Sequence, residues 1–373
     1  MAVFDALSRS LLLVAPLLGV AVTASGCCRM GFDALSRTEH RDAGADTNDG
    51  MATDGTGTDG TSADGTADGT ADGTAGTTDS GPIAAFCTDD NWCQINPLPF
   101  GNFIRDMWGS GPADIWGVGV GGTIVRWNGL AWSRVSSPTT TTLSGVWGSG
   151  PSDVWAVGLT GTIVRWNGSS WSQVSSPLTK SLRAVWGSGP SDVWVVGPEG
   201  AILRWDGSAW STVSSNTLNS LHAVWGSGPS DIWAVGTRGT TVRWDGSSWS
   251  GVSNPATDFL MGVWGSGPSD VWAVGDTGMI MRWNGSAWLQ VSSPTTSDLR
   301  GVWGSGSDIW AMGDRGTVVR WNGLAWDQVS SQATHSLRGV WGSGSDVWAV
   351  GLTGTIVRWN GSSWSQVSSP LTK

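Results

Sequence analysis

The string Trp-Gly-Ser-Gly begins at Trp108, Trp147, Trp186, Trp225, Trp264, Trp303 and Trp341, at intervals of 39 residues that shorten to 38 only at the last step. Residues 152–180 and 345–373 are identical. A fixed period near 40 residues restricts a chain to a solenoid, a ring of blades or an array, because each unit must bury its apolar surface against copies of itself. The shorter interval reflects the proline of Gly-Ser-Gly-Pro-Ser-Asp, which the last two units lack.

Each unit resolves into four short strands. In one of them Leu182–Trp186 is apolar and Gly187–Asp192 reads as a turn; Val193–Val196, Ile202–Trp205 and Trp210–Val213 follow. Asn-Gly or Asp-Gly recurs at 128, 167, 206, 245, 284, 322 and 360. Between apolar runs this dipeptide signals a hairpin with a type I′ turn, which needs positive φ at both central residues. No stretch of the units carries a 3.6-residue period over helical length. Strands apolar on both faces belong between other sheets. Seven units of four strands therefore predict an all-β fold, a seven-bladed β-propeller of four-stranded antiparallel blades over 103–373. The first unit opens at Phe103-Ile104-Arg105-Asp106-Met107 and the last ends after its fourth strand. No strand is left to exchange, so blade 1 is expected to meet blade 7 by side-chain packing alone. Each unit carries four Trp, and burying one aromatic removes about 150–250 Å² from water, so the Trp are read as structural.

The segment before the repeats differs in composition. Residues 1–26 read as a secretory signal: Leu11–Val22 is a short apolar run, followed by the small residues Thr23-Ala24-Ser25-Gly26 and then Cys27. A run of this length does not span a bilayer of about 30 Å. Ala24-Ser25-Gly26-Cys27 resembles the lipobox of bacterial lipoproteins, and the resemblance implies that Cys27 is acylated and becomes the mature N-terminus. Ala24 stands where that family prefers Leu; the alternative is an ordinary cleaved signal with Cys27 unmodified. Cys28 is not Asp, and by the sorting rule of Gram-negative lipoproteins this favours the outer membrane. Phe4–Arg9 recurs as Phe32–Arg37, a duplication without a physical explanation.

Residues 27–82 read as a disordered tether of Asp, Gly and Thr. Nothing in its central part can be buried to offset ordering entropy. Residues 28–82 hold eleven acids and three bases, a net −8, whereas residues 83–373 hold eighteen acids and sixteen bases, a net −2. The acidity thus extends the tether by self-repulsion and is not a property of the repeats. The Asp order required by an EF-hand is absent. Residues 83–102 form a short lead-in with Cys87 and Cys93, expected to join as a disulfide in an exported chain; a zinc site would need a second Cys or His pair nearby.

The repeats WGSGPSDVWAVG and GTIVRWNGSSW resemble the Trp-rich repeats of secreted or lipid-anchored propeller proteins of Gram-negative bacteria. The resemblance covers 103–373 and implies an exported propeller. More distantly they are similar to BNR (Asp-box) propellers and to photosystem II assembly-factor propellers. The Asp box, S-x-D-x-G-x-x-W, is here W-[ND]-G-x-x-W, shorter and without the Ser, so no glycosidase chemistry is carried over.

A net charge of −10 argues against nucleic-acid binding, which uses a basic face. The chain has no Tyr, and Glu39 and Glu199 are its only Glu, which leaves little for Tyr-based or paired-Glu catalysis. Asp114, Asp153, Asp192, Asp231, Asp270, Asp308 and Asp346 recur before the second strand, and Arg126, Arg165, Arg204, Arg243, Arg282, Arg320 and Arg358 recur before the third-strand Trp. A catalytic site is needed once; a sevenfold Asp is expected to accept backbone N–H bonds and a sevenfold Arg to pair or stack on Trp. Gly117–Gly122 matches G-x-G-x-x-G, but a strand follows instead of the helix that phosphate binding needs. The Asn-Gly-Ser sequons at 167, 284 and 360 fall in hairpin turns, and His40, His222 and His335 have no metal or triad spacing.

Two connections change between units, and an up-and-down blade places both on one face. The loop from second to third strand brings Glu199, Arg238, Asp276, Asp314 and Arg315; the connection to the next blade brings His222, Asp258, Phe259 and His335. Loops that vary on a constant scaffold are the usual place for recognition, and these residues are the candidate binding face, expected around one mouth of the central channel. The alternative is drift on an unselected surface. The resulting expectation is a monomeric, non-catalytic binding or scaffolding module, without cofactor or metal, that meets an envelope protein or glycan and touches the membrane only through its lipid anchor. A lectin-like propeller is the second reading and a BNR-like glycan hydrolase the third; a periplasmic or secreted protein is the alternative location.

Overall fold

The computed structural model describes residues 86–87, 93–94 and 103–371. The signal, the tether and Cys27 lie outside the described residues, as do the side chains of Cys87 and Cys93. Phe86–Cys87 pairs antiparallel with Cys93–Gln94, and Cys87 stands opposite Cys93 in that register.

Residues 103–371 form seven four-stranded antiparallel sheets, each in chain order and each drawn from one repeat. Blade 3 is typical, with strands Ala184–Gly189, Asp192–Val196, Ile202–Trp205 and Trp210–Val213. Its register explains the four Trp. Trp186, Trp194, Arg204 and Ser211 stand opposite one another across the strands, and so do Gly187, Val193, Trp205 and Trp210. Opposite residues share a sheet face. One face therefore carries a row with two Trp and an Arg, and the other a row that starts at Gly and ends in two Trp.

Neighbouring blades join because these rows are complementary. The first-strand Trp of one blade lies on the Gly of the next: a Cβ on Gly187 would sit 2.6 Å from the Trp147 ring, and one on Gly226 would sit 2.6 Å from the Trp186 ring. The second-strand Trp enters the aromatic pair of the next blade, with Trp194 at 4.9 Å from Trp244 and 5.6 Å from Trp249. Both are tilted or edge-on geometries that the ring quadrupole favours. Arg204 lies over Trp194 at 4.9 Å and Trp244 at 5.9 Å. The same contacts close the ring. Trp341 of blade 7 lies against Gly109 of blade 1, and Trp348 meets Trp127 at 5.0 Å and Trp132 at 5.8 Å. Closure is by packing, as the repeat count predicts. Of the repeat Trp, all are buried except the half-buried Trp321.

Two turns differ from the sequence reading. Gly-Ser-Gly does not belong to the first turn but continues the first strand, as in Leu221–Gly228, leaving Pro229-Ser230 as the bend. The reason is the Trp of the preceding blade, which needs a residue without a side chain in the strand beneath it. The outer hairpin is also shifted. Asn128 N–H donates to the Ala131 carbonyl, so Gly129-Leu130 is the centre, and φ is positive at Gly129 but not at its partner. That is the sign pattern of a type II′ turn. The Asn is placed outside the bend because its Oδ1 accepts the N–H groups of Leu130 and Ala131.

Candidate functional site

The sevenfold polar residues are structural. Arg126 Nε donates to Asp114 Oδ1 at 2.7 Å while its guanidinium covers Trp116 at 4.7 Å. The equivalent Arg–Asp pair occurs in every blade. The second carboxylate oxygen accepts a Ser hydroxyl, Ser110 for Asp114 and Ser188 for Asp192. The Asp thus binds side chains, Arg and Ser, rather than the backbone N–H groups expected of it.

The loops between second and third strands share one conformation. Each is a single 3₁₀ turn whose middle residue is left-handed: φ is +54° at Glu199, +56° at Arg238 and +59° at Arg315. A left-handed Gly follows; a Cβ on Gly161 would lie 1.8 Å from the Leu178 carbonyl oxygen, so loop and connection pack backbone to backbone. The backbone is thereby constant, and the side chains of the first and middle residues are the variable elements. Glu199, Arg238 and Arg315 are exposed, and Glu199 pairs with Lys180 at 2.5 Å. An exposed pair of this kind stabilises little.

Asp276 and Asp314 meet on a residue that the sequence reading did not single out. Arg300 donates to Asp298 at 2.8 Å and Asp314 at 2.9 Å, and lies 3.6 Å from Asp276. Burial and the neighbouring Asp298 charge raise the Asp276 carboxyl above its ordinary range. Burial pushes Asp314 the same way, but the Arg300 hydrogen bond and charge outweigh it and hold that carboxyl low. Asp258 and His335 are exposed, His335 beside the Thr334 hydroxyl, and Phe259 is half-buried.

His222 is not a surface contact. It is fully buried, with Nδ1 3.0 Å from Met261 Sδ and the Phe259 ring edge-on at 5.9 Å. Burial, reinforced by the Arg183 charge, pushes its pKa down to about 3.

His222 belongs to a ring that the sequence reading missed: Arg105, Ser144, Arg183, His222, Met261, Arg300 and Arg338 occupy one position of the first strand. In six blades the ladder skips this residue. In blade 3 Arg183 precedes the strand and donates its N–H to Val196. A bulge releases a side chain from the pairing of its strand, here at the loop end of the innermost strands. Arg338 forms no ion pair among the described residues; burial, and then Arg300, lower its pKa. The signal was available: between an invariant Leu or Ile and an almost invariant Val-Trp, this position holds Arg, Ser, His or Met.

Concavities occur on both faces: on the loop face one of about 350 Å³ lies beside Glu199 and one of about 440 Å³ beside Thr277, and the opposite face carries a further one. A cavity of about 750 Å³ is bounded by Gly-Ser-Gly-Pro segments of blades 2 to 5, with Trp147, Trp186 and Trp225 beneath. Gly and Ser, with short side chains or none, line that mouth.

No family model matches the chain, and no curated protein matches it. Among solved structures it is similar to YCF48 bound to D1 peptide, with TM-score 0.58 and 21% identity over 75% of this chain and 99% of that one. YCF48 from Cyanidioschyzon merolae gives 0.57 and 19%, over 70% and 97%. The WD40 β-propeller domain of Doa1 gives 0.58 and 14%, over 71% and 93%. At these identities the likeness is one of fold, and it extends over the propeller.

Proposed function

We propose that the chain is a non-catalytic binding module whose loop face recognises a protein or peptide, held at the cell envelope by a lipid on Cys27 and the acidic tether. One observation carries the reading. Seven near-identical blades present unlike side chains at the loop middles and at the bulge ring, all on one face, while the opposite face repeats one turn. A scaffold kept constant with variation gathered on one face is the arrangement of a recognition surface. The likeness in fold to a YCF48 structure with a bound peptide supports a peptide or protein as the partner class. The repeat Trp are buried apart from the half-buried Trp321, which leaves little exposed ring surface on which sugars could stack and weakens the lectin reading.

The test compares three forms of the full chain as baits in envelope extract: the wild type, Arg238→Ala with Arg315→Ala, and the opposite-face variant Gly168→Asp. Proteins retained by the wild type and by Gly168→Asp but lost with the double variant support the reading. Equal retention by the double variant contradicts it.

A further inference from the structure

We propose that the outer turns of blades 2, 5 and 7 are self-modifying sites, at which Asn167, Asn284 and Asn360 convert to aspartate through a succinimide, with the fold itself supplying the catalytic hydrogen bonds.

The reaction needs an attacking nitrogen, an activated carbonyl and a leaving amine. The nitrogen is the backbone N of the following Gly, which has no side chain to hinder its approach. All five Asn-Gly turns are exposed, so water is at hand. The carbonyl is the Asn Cγ=Oδ1. At Asn167, Oδ1 accepts from Ser169 N at 2.9 Å, Ser169 Oγ at 2.8 Å and Ser170 N at 3.0 Å. Asn284 and Asn360 repeat this set with Ser286, Ala287, Ser362 and Ser363. When Gly168 N loses its proton and bonds to Cγ, negative charge develops on Oδ1, where the three donors already point. Donors aimed at a developing oxyanion lower the barrier to its formation. The Cγ–Nδ2 bond then breaks, and Nδ2 takes up one proton, replacing the one that Gly168 N gave to solvent, and leaves as ammonia. Water opens the ring by adding at a carbonyl and breaking its bond to nitrogen, giving aspartate or its β-linked isomer. The sum is asparagine plus water to aspartic acid plus ammonia.

The other turns supply internal controls. Asn128 and Asn322 have Leu130 and Leu324 in place of the Ser, so two N–H donors remain. Asn322 is further restrained, because its leaving nitrogen Nδ2 donates to Asp327 at 2.7 Å. Blades 3 and 4 carry Asp at this position in the sequence itself: Asp206 and Asp245 occupy the same turn and accept the same three donors. The aspartate form thus fits the turn, and each conversion adds one negative charge to the face opposite the loops.

The experiment incubates the folded full chain in mildly alkaline buffer and follows each turn by tryptic peptide mass. The peptides carrying Asn167 and Asn360 are identical, so Ser169→Ala gives one of them a distinct mass and compares both in one molecule. Asn167 should then convert about three- to tenfold more slowly than Asn360, the effect of one net hydrogen bond. In the wild type Asn322 should trail every other site, and Asp327→Ala should bring it to the rate of Asn128. In denaturant the differences should vanish. The proposal is overturned if Asn167 and Asn360 keep pace in the Ser169→Ala chain, if the ranking persists in denaturant, or if the folded turns convert more slowly than the denatured ones.

Discussion

Replacing Trp348 with Ala tests whether the ring is closed by the same interlock that joins its other blades. Trp348 is fully buried in blade 7 and reaches across the seam to Trp127 and Trp132 of blade 1, at 5.0 and 5.8 Å. Arg358 lies over its ring at 5.0 Å. Truncating a buried Trp to Ala costs about 3–5 kcal/mol. The upper half of that range is expected here, because two aromatic contacts of about 0.5–1.5 kcal/mol each are lost with the side chain. Trp194 makes the corresponding contacts between blades 3 and 4, at 4.9 and 5.6 Å. Trp194→Ala is therefore the reference, and the two variants should lose equal stability within about 1 kcal/mol. Urea unfolding followed by circular dichroism gives both values under one protocol, provided the slope with denaturant is unchanged. A Trp348→Ala chain as stable as the wild type, beside a Trp194→Ala chain that loses several kcal/mol, would refute closure by interlock.

The remaining expectations concern other parts of the chain. Gly226→Ala places a methyl 2.6 Å from the Trp186 ring and should cost about 1–3 kcal/mol, whereas Gly228→Ala meets nothing within 4 Å and should be neutral in the same urea assay. His222, with its pKa near 3 in the fold against an ordinary 6.5, binds its proton more readily in the unfolded chain. Stability should therefore fall by about 1.4 kcal/mol per pH unit between pH 6.5 and about 3. His222→Met, copying Met261 of blade 5, should remove that slope; an unchanged slope would assign it to other groups. Cys27→Ser should move the protein from the membrane to the soluble fraction, and unchanged detergent partitioning would count against lipidation.

The repeat carried most of the architecture in legible form. The interval of 39 residues, four Trp per unit and the Asn-Gly or Asp-Gly dipeptides lead to seven blades of four strands, and the strand count leads to closure by packing. What stayed hidden depends on contacts between units. Gly187 looks like a turn residue in its own repeat; only the Trp147 ring above it shows why it is a strand residue. His222 looks like a loop residue, and its burial depends on Met261 and Phe259 of the next blade. Asp276 and Asp314 stand in loops that vary openly, but their convergence on Arg300 depends on how a loop of one blade meets the first strand of the next.

The central claim is that recognition resides on the loop face. Hydrogen–deuterium exchange of the full chain, alone and bound to the partner retained from envelope extract, tests it most directly. Protection is expected at Pro198–Gly200, Thr237–Gly239, Asp276–Gly278 and Asp314–Gly316, and Arg238→Ala with Arg315→Ala should weaken the complex by about 1–3 kcal/mol, as expected for unpairing charged contacts. Protection confined to the Gly-Ser-Gly-Pro segments around the 750 Å³ cavity, with affinity indifferent to both arginines, would contradict the claim.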